Sequence, residues 1–138
     1  LLLVADGRLA LDDEVRRYVP ELPDFGHPIT VRHLVHHTSG LRDWPGTLRI
    51  AGWSFDDVIS FDQILRMTYN QRDLNFPPGS AYAYSNTGYN VLAEVVQRVS
   101  GKSFREFTDE RIFRPLGMHD THFHDDHAMI VPQLADSY

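Results

Sequence analysis

Cysteine is absent from the 138-residue sequence, lysine occurs once, at Lys102, and no apolar run is long enough to span a bilayer. Without cysteine there is no disulfide, no thiolate nucleophile and no Cys-ligated zinc, while the compartment stays open. Thirteen Lys and Arg against nineteen Asp and Glu leave a net charge of −6. A phosphate backbone is held by concentrated positive charge, so no nucleic-acid partner is expected. Nor does any basic amphipathic stretch offer itself to a membrane surface. Alternating apolar segments of the kind that build a sheet are also missing, as are internal repeats, low-complexity tracts and linkers.

What remains is an ordinary globular composition, 42% hydrophobic and 23% charged, sufficient for one domain over 1–138 with a buried core. The pattern along it predicts a mainly α fold. Leu1–Ala5 is too short for a membrane span, lacks the charged front of a signal peptide, and reads as the tail of a helix ended by Asp6-Gly7. A short helix is predicted over Leu11–Val19, with its acids at the positive end and Pro20 and Pro23 closing it. Thr30 is the expected N-cap of a helix over Val31–His37 that stops at Gly40. Leu41–Trp53 reads as a loop whose Trp44 and Trp53 line a pocket or fill a small core. Ser54 with Asp57, and Ser103 with Glu106, have the spacing of capping boxes. The longest helix starts near Asn86, carries Leu92, Val95, Val96 and Val99 on its apolar face, and ends at Gly101.

Ahead of that helix, Phe76-Pro77-Pro78-Gly79 sets a stiff turn through two restricted prolines and a permissive glycine. Tyr82-Ala83-Tyr84 is then extended, with Tyr82 and Tyr84 on one side, and Ser85 or Asn86 caps the helix. A phenol and an amide fixed at a loop–helix junction are well placed for chemistry. At neutral pH, however, a phenol with an ordinary pKa of about 10 is a poor base without a cation beside it. Read blandly, the same residues are a packed aromatic and a helix cap.

Longer phrases favour the chemical reading. Tyr84-Ser85-Asn86, Ile29–Leu41 ending His37-Thr38-Ser39-Gly40-Leu41, Tyr89–Val96, and Ile112–Thr121 with Pro115-Leu116-Gly117-Met118 fall in one order along nearly the whole chain, after Asp6–Asp13. Together they resemble the serine β-lactamase and penicillin-binding-protein superfamily, specifically its class C-like branch with D-Ala-D-Ala carboxypeptidases and related esterases. The resemblance implies that Tyr84 is the catalytic proton carrier and that Asn86 hydrogen-bonds a substrate amide or carbonyl and helps orient a lysine. It implies an acyl-serine intermediate on a β-lactam, a D-Ala-D-Ala peptide or an ester, with no cofactor and no metal. Export is common in the family, so a periplasmic or secreted location goes with it.

The family's nucleophile motif, Ser-x-x-Lys, does not occur here, and Lys102 sits beside Ser103 between two predicted helices. Leu1–Ala5 resembles the end of the helix that carries that motif, which places it upstream. The third motif, on a sheet strand, is expected beyond Tyr138. The chain is thus expected to be a single partial domain, the helical portion of an α/β fold with most strands missing. Alone it is expected to be inactive and, with its apolar faces uncovered, able to self-associate. Ser39 and Ser85 lack a lysine at the required spacing and are expected to be structural.

Two other classes of function stay open on the residues alone. One is a non-catalytic interaction module. The other is a metal-binding domain built on His33, His36 and His37, or on His119, His122, His124 and His127 with Asp120, Asp125 and Asp126. The first histidine set lacks the Glu of the zinc-protease pattern, and the second falls on a predicted loop.

Overall fold

The computed structural model of the chain describes residues 1–54, 56–132 and 134, and these divide into two compact units with the boundary after Lys102. In the first unit, helix α1 covers Leu2–Ala5, α2 Val31–Val35, α3 Trp44–Ile50, α4 Phe61–Tyr69 and α5 Asn86–Ser100. Helix α5 is the centre, contacted by each of the other four. The only β feature among the described residues is an isolated antiparallel bridge between Glu14 and Thr30. The fold is mainly helical, as expected.

The core of this unit joins Leu3, Val15, Val19, Leu22, Val31, Leu34, Leu65, Val91 and Val95. The buried ridge of α5 runs through Thr87, Gly88, Val91 and Val95, one step round the helix from the predicted Leu92, Val95, Val96 and Val99, of which only Val95 is fully buried. Gly88 explains the shift: a Cβ there would lie 3.7 Å from both Cδ2 and the carbonyl oxygen of Leu34, so α2 seats directly on this side of α5. The C-terminal end is as predicted, with Gly101 left-handed at φ 74°.

Local predictions failed where side chains made longer-range bonds. Residues 11–19 form only a 3₁₀ turn at Val15–Arg17. Their backbone is engaged by the chain ahead of α2, with Val15 N–H donating to Ile29 O at 2.8 Å and Arg32 N–H to Leu11 O at 2.7 Å. Asp13 accepts from the Ala10 N–H and the Tyr18 hydroxyl, at 2.8 and 2.6 Å, and Asp12 pairs with Arg32 through two bonds of 2.8 and 2.9 Å. Acids committed in this way draw the backbone out of a helix rather than capping one.

Residues 41–53, predicted as loop, contain α3, which starts at Trp44 with Pro45 in its first turn, a position proline tolerates. Ser54 N–H does donate to Asp57, at 2.9 Å, but the Ser54 hydroxyl turns to Asp56 and the described residues form a turn, not a helix start. A reciprocal box that the prediction missed opens α4, between Ser60 and Gln63.

In the second unit, helix α6 spans Phe104–Thr108 behind the predicted Ser103–Glu106 box and passes into a π-helical turn, Asp109–Phe113. Phe123 packs on Phe104 and Phe113, with ring centroids 4.7 and 5.9 Å away, and Arg105 reaches Asp125 at 3.1 Å. The predicted span of 1–138 also takes in residues 55, 133 and 135–138, which lie outside the described ones.

Candidate active site

Helix α2 ends earlier than Gly40. Thr38 N–H donates to His33 O at 2.8 Å and His37 N–H to Leu34 O at 3.2 Å, the paired closure of a Schellman end with His37 in the left-handed position at φ 56°. A β-carbon makes that conformation costly, and such strain is held where the surroundings over-determine it. Here they do. The His37 carbonyl accepts from Ala83 N–H at 3.0 Å, and its Nδ1 accepts from Ser85 N–H at 3.3 Å. Its ring lies 4.7 Å from that of Tyr84, 5.0 Å from Tyr89 and 6.0 Å from Tyr82. His37 therefore clasps the segment that carries Tyr84.

Gly40 has a different task from the predicted helix stop. A Cβ on it would fall 2.2 Å from the Phe76 carbonyl oxygen, and its own carbonyl accepts from Asn75 N–H at 2.8 Å. Three residues on, Gly79 N–H donates to Thr38 O, also at 2.8 Å. The proline turn is thus laid directly along residues 38–40, which sets the height at which the Tyr84 segment leaves it. Residue His33 supports the same turn from below. Its Nδ1 accepts from Thr30 N–H at 3.2 Å, its Nε2 faces Gly79, and burial pushes its imidazole below the ordinary value.

The predicted site residues come together at the start of α5. Tyr84 is 62% exposed, and its hydroxyl donates to Asn86 Oδ1 at 3.1 Å. Asn86 is half-buried. Its backbone N–H donates to Asp43 Oδ1 at 2.6 Å, and its Nδ2 lies 3.1 and 3.2 Å from the two Asp43 oxygens. Immediately beside them Trp44 N–H donates to the Thr87 hydroxyl at 2.9 Å, which in turn donates to Arg42 O at 2.7 Å. The first N–H of α3 is capped from α5, and the first N–H of α5 is capped from the residue before α3. Both orphan donors are satisfied by the exchange.

Ser85, 2% exposed, accepts from Gly88 N–H at 3.3 Å and is the N-cap. Ser39, equally buried, accepts from Leu41 N–H at 3.3 Å. Neither hydroxyl faces an open pocket. Lys102 follows the far end of α5, about 20 Å from Tyr84 at about 1.5 Å rise per helical residue, so it does not supply the cation that Tyr84 needs. The histidine sets that suggested a metal are arranged otherwise: His33 and His37 hold backbone N–H groups. Among the described residues no group of three or more His, Cys, Asp or Glu is placed to hold an ion.

Asp43 was not singled out by the sequence, and His37 only as a member of the His33, His36 and His37 metal set. Asp43 sits before Trp44-Pro45, an N-cap signal that was readable, but nothing local indicated that its carboxylate reaches a helix 43 residues away. For His37 the signals were its spacing from His33 and His36 and its place in His37-Thr38-Ser39-Gly40.

A long central helix, short helices around it, and a Tyr-x-Asn segment whose asparagine opens that helix define the helical portion of a β-lactamase and penicillin-binding-protein fold. Residues 1–135 match the model of the beta-lactamase family, and the chain belongs to that family. It is 35% identical to penicillin-binding protein 4* of Bacillus subtilis over all of its length and 30% of that protein. To esterase EstB of Burkholderia gladioli it is 39% identical over 89% of this chain and 34% of the esterase. Among solved structures, the octameric penicillin-binding protein homologue from Pyrococcus abyssi superposes with a TM-score of 0.72 at 33% identity, covering 85% of this chain and 28% of that one. The chain thus spans between about a fifth and about a third of the length of the curated relatives it matches.

Proposed function

We propose that these residues serve a serine hydrolase that cleaves a small amide or ester, a β-lactam, a D-Ala-D-Ala peptide or an ester, through an acyl-serine. In this reading a serine oxygen attacks the substrate carbonyl, the acyl–serine bond forms as the leaving group departs with a proton, and water then releases the acid. Tyr84 carries the proton between serine and leaving group, and Asn86 holds the substrate. The observation that supports it is the Tyr84 hydroxyl, exposed to solvent yet fixed 3.1 Å from Asn86 Oδ1. The 138 residues contain no Ser-x-x-Lys, so on their own they are inactive, and the nucleophile comes from other sequence.

The test is intact-mass analysis after incubation with a fluorophosphonate or a penicillin. The chain alone should gain no adduct, and a longer polypeptide that adds a Ser-x-x-Lys segment should gain one. In that polypeptide Tyr84→Phe should slow acylation by about 10²–10⁴-fold, the range of general acid–base catalysis. A stoichiometric adduct on the chain alone overturns the assignment of roles.

A second reading, a binding module without chemistry, draws on the exposed rings of Tyr82, Tyr84 and Tyr89. That surface also supports self-association of the isolated chain. Acylation of the longer polypeptide with loss in Tyr84→Phe excludes the module.

A further inference from the structure

Among the described residues His37 is the one non-glycine held at positive φ, and both its carbonyl and its ring are spent on the segment that carries Tyr84. The carbonyl accepts from Ala83 N–H at 3.0 Å and Nδ1 from Ser85 N–H at 3.3 Å. One residue thus takes the backbone donors on either side of Tyr84. Its ring meets the Tyr84 ring at an angle of 36° and lies nearly parallel to that of Tyr89, at 24°. Tyr89 is tied back to α2 in turn, its hydroxyl donating to Val35 O at 3.3 Å. A left-handed helix end is ordinarily closed by glycine, which spares the cost of a β-carbon. The ring is what a glycine at this position would lack.

The ring contact selects a protonation state. Nδ1 accepts the Ser85 N–H only when it carries no proton, so the proton of the neutral imidazole sits on Nε2. A second proton makes Nδ1 a donor facing a donor, and the Ser85 bond is lost. The carbonyl bond to Ala83 survives, because it does not depend on the side chain. Tyr84 is then gripped on one side only. The titratable groups about the ring are the phenols of Tyr82 and Tyr84, ahead of α5, and of Tyr89 on α5. His33 and His36 precede it on α2, and Asp43 is joined to it through Asn86 and Tyr84.

We infer that His37 is a positioning residue for the Tyr84 phenol: neutral, it clamps the backbone on both sides of Tyr84 and packs on its ring, and on protonation it releases one of the two bonds. The inference rests on the proposed acyl-transfer reading and adds to it a residue that acts through Tyr84. A reacting group displaced by about 1 Å can lose about 10²-fold in rate. Loosening this clamp therefore falls on kcat rather than on KM.

Two measurements test it. The first needs no activity. In the ¹⁵N-labelled chain the neutral His37 ring should carry its proton on Nε2, and the Ser85 amide proton should resonate in the hydrogen-bonded range. As His37 takes up its second proton, the Ser85 resonance should move toward the unbonded position while that of Ala83 stays. A neutral ring protonated at Nδ1, or a Ser85 amide that does not follow the His37 titration, overturns the inference whatever the kinetics show.

The second uses the longer polypeptide with its Ser-x-x-Lys segment. His37→Gly accepts the left-handed backbone and keeps the Ala83 bond but has no ring. It should hold its circular dichroism and lose about 10–100-fold in kcat, with KM little changed. His37→Asn tolerates the same backbone and sets Oδ1 where Nδ1 stood, an acceptor that does not titrate. It should be about threefold to tenfold faster than His37→Gly, the worth of one hydrogen bond. Its rate relative to wild type should rise as pH falls from 7.5 to 5, because groups common to both, such as His33, cancel in the ratio. Full kcat in His37→Gly, an Asn variant no faster than the Gly variant, or a ratio constant with pH each overturns the inference. Full activity in Tyr84→Phe would instead remove the acyl-transfer reading while the His37 and Ser85 resonances stood.

Discussion

Helix α6 begins with bonds made inside four residues: Ser103 Oγ accepts from Glu106 N–H at 3.1 Å and the Glu106 carboxylate accepts from Ser103 N–H at 3.0 Å. Helix α5 has a local cap too, from Ser85, but its first N–H and the side chain of its first residue are held by Asp43, 43 residues away. The first kind of start forms whenever its own sequence turns. The second exists only when residues 37–43 and 83–87 have met. Placing Tyr84 and Asn86 on the second kind makes their geometry a property of the tertiary fold, so the candidate site is assembled and lost with the core around it.

The sharpest way to break this contrast uses two glycines with nearly the same backbone. Gly40 has φ 76° and Gly101 φ 74°. A Cβ on Gly40 meets the Phe76 carbonyl at 2.2 Å, and one on Gly101 meets nothing within 4 Å. Gly101→Ala should lose about 1 kcal/mol, the left-handed backbone penalty alone. Gly40→Ala adds overpacking against main chain and should lose about 2–5 kcal/mol. Urea unfolding of both variants checks this. Equal losses would mean that the proline turn yields, and that Tyr84 is not held by residues 38–40.

Removing the distant and the local cap gives the next effect. Asp43→Ala strips a charged acceptor from two donors and should cost about 2 kcal/mol. Ser103→Ala removes a local cap and should cost about 1 kcal/mol. Amide exchange locates the losses: at Asn86 in the first variant, and at Glu106 and Phe107 in the second. If Asp43→Ala exposed no amide at the start of α5, Ser85 alone would secure that helix.

The same contrast explains what the sequence disclosed. Features that depend on spacing within one turn were readable: Thr30 and Ser103 as caps, Gly101 as the left-handed end, Pro77-Pro78-Gly79 as a turn, and Tyr84 with Asn86 as neighbours at the loop–helix junction. Features that depend on distant partners were not. Residues 11–19 have helical periodicity, but their acids and backbone are taken by Tyr18, Arg32 and the chain from Ile29 to Arg32. Gly40 was read as a helix stop because a glycine after a helix usually is one; its actual constraint, the approach of Phe76, has no local signature. Asp43 is the clearest case. Its residue type and the following proline announce a cap for α3, and only the fold shows the carboxylate given to α5.

Helix α2 supplies the finest test, because its box is local in form but titratable. At the third helical position, where Gln63 serves α4, α2 has His33, whose Nδ1 must be unprotonated to accept Thr30 N–H at 3.2 Å. Burial lowers the folded-state pKa of this imidazole, the neighbouring Arg32 lowers it further, and Asp12 opposes them. The unfolded chain, at about 6.5, therefore takes up the proton first as pH falls. The stabilisation is present above that value and is lost as pH drops through the folded-state value. The carboxyls of Asp12, Asp13 and Glu21 are all held below their ordinary range by their hydrogen-bond partners, so they titrate beneath this window. Between pH 7.5 and 5 the urea midpoint should decline by an amount equivalent to about 0.5–1 kcal/mol, one neutral hydrogen bond. His33→Gln keeps an acceptor at the same position without a titrating group and should flatten that decline. A slope of the same size in His33→Gln would show that the proton is taken up elsewhere and that the α2 box is as indifferent to pH as the Ser60–Gln63 box of α4.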